Sequence, residues 1–176
     1  MKTQKYIQLI LTLLFTFTAI AGNWVFASAK ANVDTITRKL EYQKSADIYL
    51  RNGGVYFPAS AYTATATLTR IDLTEADRAS AKKLLFTQPW LDIRVRDSAG
   101  AEFKKIYGII YVYFNLSSED RTAWDQGKLS IYYYDALKKS WQECPSRLLA
   151  EKGSQNGRVS CMITEGFGRY GMATKR

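Results

Sequence analysis

The chain has no histidine among its 176 residues. That removes the usual general base at neutral pH, the commonest metal ligand and the central member of a Ser-His-Asp triad. Carboxylate-only or lysine-based chemistry stays open, yet the omission weighs against catalysis, and an enzyme is not expected. Cysteine is nearly as scarce, with only Cys144 and Cys161. Two thiols cannot build a structural zinc site alone, and no histidine can complete one. No Asp-x-Asp-x-Asp run gathers oxygen ligands for calcium either, so neither metal nor cofactor is expected. Like charges never run to five or six; the basic pairs are short, at Lys82-Lys83, Lys104-Lys105 and Lys138-Lys139. A nucleic-acid footprint is therefore weak, and no specific nucleic acid is expected as a partner.

What is present starts with an export pattern. Lys2 and Lys5 precede an apolar run from Ile7 to Ala21, and Ala27-Ser28-Ala29 supplies small residues for a signal peptidase. Ala29-Lys30-Ala31 is a second possible cut site. The apolar character continues through Trp24, Val25 and Phe26, which keeps an uncleaved anchor as the alternative. Thr12, Thr16, Thr18 and Asn23 argue against a span. No cysteine follows the cut sites to carry a lipid. The expectation is a signal peptide over 1–29, a linker over 30–45 and one domain over 46–176, working in the periplasm or outside the cell and not spanning a membrane.

Cutting after Ala29 leaves about 147 residues, enough for one domain with a real core, and losing Lys2 and Lys5 takes the formal charge from +9 to +7. Such a surface suits anionic glycans, wall polymers or lipid headgroups, and equally suits simple solubility. Both cysteines lie in the exported part, where an even count favours one disulfide; two buried free thiols are the alternative.

From Ala46 onward the pattern is period two and rich in Thr, Tyr, Val and Ile. Ala46 to Leu50 reads as a strand stopped by Asn52-Gly53-Gly54, and Val55-Tyr56-Phe57 is extended up to Pro58. Tyr62 to Ile71 sets Thr63, Thr65, Thr67 and Thr69 opposite Tyr62, Ala64, Ala66 and Leu68, a half-buried strand. Thr74 as N-cap, with Glu75 and Asp77 in the first turn, predicts a helix to about Phe86, before Pro89. Leu91, Ile93 and Val95 alternate with Asp92, Arg94 and Arg96 before a turn at Asp97-Ser98-Ala99-Gly100. Phe103 to Phe114 is apolar on both faces, with Tyr107, Ile109, Tyr111 and Tyr113 on one, which predicts a central, covered strand. Ser117 and Asp120 cap a helical turn through Trp124, ended by Gln126-Gly127. Leu129 to Tyr134, Trp141 to Cys144, Val159 to Ile163 and Phe167 to Ala173 complete the strands, with Asn156-Gly157 as a tight turn. Eight or nine short strands with one short helix and a helical turn predict an all-β fold, an antiparallel β-sandwich.

The order of pieces carries a resemblance. Gly53-Gly54, Phe57-Pro58-Ala59-Ser60-Ala61, a Thr-rich strand, Asp97-Ser98-Ala99-Gly100, a central aromatic strand, Leu129-Ser130-Ile131-Tyr132-Tyr133-Tyr134-Asp135 and Trp141 follow one another as in a ZU-five-type β-sandwich. Domains of that type occur in netrin receptors, zonula occludens proteins and ankyrins, and looser versions occur on bacterial surfaces. The resemblance spans roughly residues 46–173 and implies a scaffold for protein contacts or envelope architecture. Some members cleave themselves at a His-Phe-Ser motif. The matching place here is Gly166-Phe167-Gly168, which has neither the histidine nor the serine, so self-cleavage by that route is not expected.

The aromatic set Tyr107, Tyr111, Tyr113, Tyr132, Tyr133, Tyr134 and Trp141 offers the best candidate site, because Tyr and Trp on an open sheet face stack on sugar rings. The competing reading turns alternate members into the core; Tyr133 must face opposite to Tyr132 and Tyr134. Tyr111, Tyr113, Tyr133 and Trp141 are the binding candidates, with Lys104 and Lys105 for an anionic polymer unless that pair only guards a strand edge. Among the acids Asp92, Asp97, Glu102, Asp120, Asp125 and Asp135, the turn positions Asp97 and Asp125 are expected to cap backbone. The expected function is an exported non-catalytic module for protein interaction or envelope architecture. Carbohydrate binding is the alternative and a small hydrolase a third reading; the partner is an unknown protein or envelope polymer, an anionic glycan among the candidates.

Overall fold

The computed structural model describes residues 34–75, 81, 83–103, 108–149 and 156–176. Residues 1–29, expected as a signal peptide, the Lys104-Lys105 pair, Tyr107 and most of the helix expected after Thr74 lie outside the described residues. In chain order the strands are β1 (Asp34–Leu40), β2 (Ala46–Leu50), β3 (Gly53–Phe57), β4 (Ala64–Ile71), β5 (Leu84–Phe86) and β6 (Trp90–Arg96). Then come β7 (Tyr111–Asn115), helix α1 (Ser118–Asp125), β8 (Leu129–Asp135), β9 (Ser140–Cys144), β10 (Ser146–Leu149), β11 (Arg158–Met162) and β12 (Gly168–Lys175).

They form two antiparallel sheets. The seven-stranded sheet runs β1-β4-β6-β12-β8-β9, with β5 also on β12; the five-stranded sheet runs β10-β11-β7-β3-β2. Period-two alternation decides what lies between them. Leu68, Leu91, Ile93, Ile131 and Met172 from one sheet meet Ile48, Val55, Phe57, Val112, Phe114 and Val159 from the other in one core. The expected antiparallel sandwich is therefore what the chain forms. No helix among the described residues is long and apolar enough to cross a membrane.

Cys144 and Cys161 are bonded, with their Cα atoms 6.0 Å apart. The bond joins the end of edge strand β9 in the larger sheet to β11 of the smaller one. It stands where the chain changes sheets at Pro145, and Ser146 of β10 pairs directly with Cys161. The alternative of two free thiols is excluded.

Helix α1 has the cap its sequence promised: Asp120 N–H donates to Ser117 Oγ, and Ser117 N–H donates back to the Asp120 carboxylate. That carboxylate also accepts from Gln88 Nε2 at 2.8 Å, tying the helix to the loop before β6. Asp97 does what was expected of it, accepting from the amides of Ala99 and Ala101 at 2.9 Å each.

Several expectations are corrected. The stretch read as a linker contains β1, paired with β4 along its whole length and supported by Thr35–Thr69 and Thr37–Thr67 hydroxyl contacts. Only Leu40 of that strand is buried, so no apolar alternation announced it. Gly53 and Gly54 belong to β3 rather than ending β2's neighbourhood as a turn. Leu84–Phe86, expected as the last helical turn, is strand β5. The strand expected from Phe103 begins at Tyr111; it is central in its sheet, but its tyrosine side is open rather than layered over. Strand β10 was not anticipated.

Candidate functional site

The open side of the five-stranded sheet is built by register. Because Val112 and Phe114 of β7 point into the core, Tyr111 and Tyr113 point out. Pairing places Tyr111 between Tyr56 and Met162, with Asp47 beyond Tyr56. The next row holds Tyr49, Gly54, Tyr113, Ser160 and Arg147. Tyr49 and Tyr56 are 45% and 38% exposed, and Leu149 and Met162 also reach solvent, so this face is open.

Diagonal contacts lock the pattern. Arg147 lies over the Tyr111 ring with its guanidinium carbon 5.0 Å from the centroid, and Arg158 lies over Tyr113 at 4.7 Å. Tyr113 is folded down across the sheet, its hydroxyl donating to Asp47 Oδ1 at 2.7 Å. Glycine at position 54 makes room for that ring: a Cβ there would stand 2.6 Å from both Tyr113 Cζ and the Ile48 carbonyl oxygen. Arg38 Nη1 donates to the Asp47 carbonyl at 2.7 Å, holding the β2 end of this face to β1. The result is a groove of about 330 Å³ lined by Asp47, Tyr56, Tyr111, Tyr113, Arg147, Leu149, Arg158 and Ser160. A second groove of about 240 Å³ adjoins it, sharing Tyr111, Arg147 and Ser160 and continuing to Pro145 and Met162.

Burial, then the Asp47 hydrogen bond and charge, push the Tyr113 hydroxyl well above the usual phenol value, while Arg158 acts in the opposite sense. Tyr170, buried at the core edge with its hydroxyl donating to Gly166 O at 2.6 Å, is raised as well, chiefly by burial. Both groups stay protonated in the folded chain where an unfolded tyrosine, near pH 10, has begun to ionise. The folded state then binds more protons, so the contribution of these two hydroxyls to stability is constant below about pH 10 and falls above it. At pH 11 the two together should cost roughly 3 kcal/mol, read as a lowered urea midpoint relative to pH 8. Equal midpoints at the two pH values would contradict the burial of these hydroxyls.

The structure separates the other candidates from Tyr111 and Tyr113. Tyr133 turns inward beside Tyr170, ring centroids 6.4 Å apart, and lines a different cleft of about 280 Å³ with Glu165 and Phe167. Trp141 lies on the outer side of the seven-stranded sheet, packed on Phe86 at 4.6 Å and Trp90 at 4.9 Å. It borders a shallow trough with Tyr134, Lys83 and Lys139. Gly171 admits that cluster, since a Cβ there would meet the Phe86 and Trp90 rings within 2.7 Å. The weighed acids serve the scaffold: Asp92 pairs with Arg94, Glu102 with Arg96, Asp125 with Arg121, and Asp135 caps the amides of Leu137 and Lys138. Among the described residues no three His, Cys, Asp or Glu side chains converge.

Comparison with models of known protein families, with curated proteins and with solved structures finds no match. The site must therefore be read from its own chemistry.

Arg147, Arg158, Asp47 and Ser160 were not singled out in the sequence. Arg158 and Ser160 were within reach, because assigning Val159, Cys161 and Ile163 to the core puts their neighbours outside. Arg147 was not, because β10 is four residues long, with Ser146 and Leu148 only half-buried.

Proposed function

We propose that the chain is an exported, non-catalytic contact module, cut after its leader and working at the cell envelope through the open face of the five-stranded sheet. The observation that carries this reading is the pair of guanidiniums stacked on outward tyrosines across a face with four exposed large side chains. Ordered Tyr and Arg side chains are the residue types that anchor contact surfaces, because they bring large area at little entropic cost. The ZU-five-type order of motifs supports a scaffold role of the same kind, and the Gly-Phe-Gly at 166–168 supports a chain that stays whole. The absence of histidine supports contact over turnover.

The test is co-sedimentation of the purified mature chain with washed envelope fragments of the producing cell. Tyr56→Ala with Arg147→Gln should weaken retention at least tenfold, about 1.4 kcal/mol or more. Leu137→Ala, at the fully exposed tip of the β8–β9 hairpin, should leave it unchanged. Equal retention of both variants would place the contact elsewhere.

A further inference from the structure

We infer that the occupant of this face is a carboxylate-bearing polysaccharide chain, with an acidic group held at Arg147 above Tyr111 and a neighbouring sugar ring lying on Tyr56. The inference rests on the reading of that face as the contact surface and adds the class of ligand.

Shape is the first argument. The two grooves share Tyr111, Arg147 and Ser160, so they form one trough running from Asp47 on β2 to Pro145 beside β10. A trough crossing all five strands spans about 19 Å at the usual strand spacing, which suits a chain better than a small molecule. Charge is the second. Two guanidiniums, Arg147 and Arg158, line the trough against a single carboxylate, Asp47, whose Oδ1 already accepts from Tyr113. A guanidinium laid on a ring directs its N–H donors along its own plane, the geometry that takes a carboxylate bidentately. Surface is the third. Tyr56, exposed beside the Tyr111 ring that Arg147 covers, offers an open ring for the apolar side of a sugar while its hydroxyl meets the sugar's oxygens.

Ser160 supplies an independent pointer. It is 1% exposed, lies in both grooves, and its hydroxyl has no hydrogen-bond partner. A buried hydroxyl left unpaired costs free energy, and its position between Tyr113 and Arg147 in the register puts a spare donor and acceptor on the trough floor.

The test is calorimetric titration of the mature chain with polygalacturonate, alginate and hyaluronan, and with methyl-esterified polygalacturonate as the neutral match. At least one acidic chain should bind, weakening as salt rises, and binding should fall about tenfold on esterification and in Arg147→Gln. Arg147 is exposed and stacks on Tyr111 at the surface, so this variant should melt with the parent. Equal binding of the esterified chain, lost in Tyr56→Ala, would overturn the acidic class and leave the face standing. Binding indifferent to Tyr56→Ala would overturn both. No binding by any of the three acidic chains, with envelope retention still dependent on Tyr56 and Arg147, would overturn the polysaccharide and point to a protein occupant.

Discussion

Replacing both Cys144 and Cys161 by alanine lowers the thermal midpoint by about 10 °C, and reduction of the native chain does the same. The bond closes a loop between residues 17 apart, which constrains the unfolded chain by about 3 kcal/mol in the entropic account. For a domain of this length each kcal/mol moves the midpoint by about 2–4 °C. Its placement adds a structural reason. Strand β9 is the last strand of its sheet, and β10 the last of the other; the bond fixes the point where the chain passes between them. Without it the β9–β10 crossing is held mainly by the ladders on β8 and β11 and by Ser146 Oγ, which accepts from Ile131 N–H at 3.0 Å. Because β10 carries Arg147, the reduced chain should also lose order in the trough before it unfolds globally. Differential scanning calorimetry with and without reductant checks the first part. An unchanged midpoint would mean the two sheets need no covalent tie.

Gly54→Ala destabilises by about 3 kcal/mol, an effect far beyond an ordinary exposed-strand substitution. The added methyl would meet the Ile48 carbonyl at 2.6 Å, and backbone in a paired strand has little room to retreat. It would also meet the Tyr113 ring at 2.6 Å. The ring must then lift away from Asp47, breaking the 2.7 Å hydrogen bond and dislodging the stack under Arg158. The variant should therefore lose the trough floor together with stability. Chemical denaturation measures the first; the alkaline titration of Tyr113, brought down towards an ordinary tyrosine, reports the second. A variant as stable as the parent would show that Tyr113 does not lie across Gly54.

The sandwich was legible because most strands bury one side. Ala64, Ala66 and Leu68 against the alternating threonines of β4, and Leu91, Ile93 and Val95 against charged neighbours in β6, write their inner faces plainly. The cap of α1 was legible for a local reason: Ser117 and Asp120 satisfy each other within one turn. What stayed hidden lacks such contrast. β1 buries little and is held by its ladder and paired threonines, and β5 is three residues long beside Ala81, where a helix pattern competes. The tyrosine-rich strands were the hardest, because β7 and β8 are aromatic or apolar on both sides and alternation alone cannot say which side meets water. In β7 the choice falls to Val112 and Phe114, which turn inward and leave Tyr111 and Tyr113 outside; in β8 it falls to Leu129 and Ile131, which draw Tyr133 in after them. Trp141 likewise reads as a surface aromatic until Phe86 and Trp90 arrive from distant sequence to pack on it. The trough was invisible as a unit, since its members come from five strands and meet only through register.

Tyrosine footprinting with and without envelope fragments tests the account most directly. Tyr49 and Tyr56 should label readily in the free chain while Tyr132 and Tyr170 resist, and the fragments should shield Tyr56 and Tyr111 selectively. Shielding centred on Tyr134 and Trp141, with Tyr56 still labelled, would contradict it.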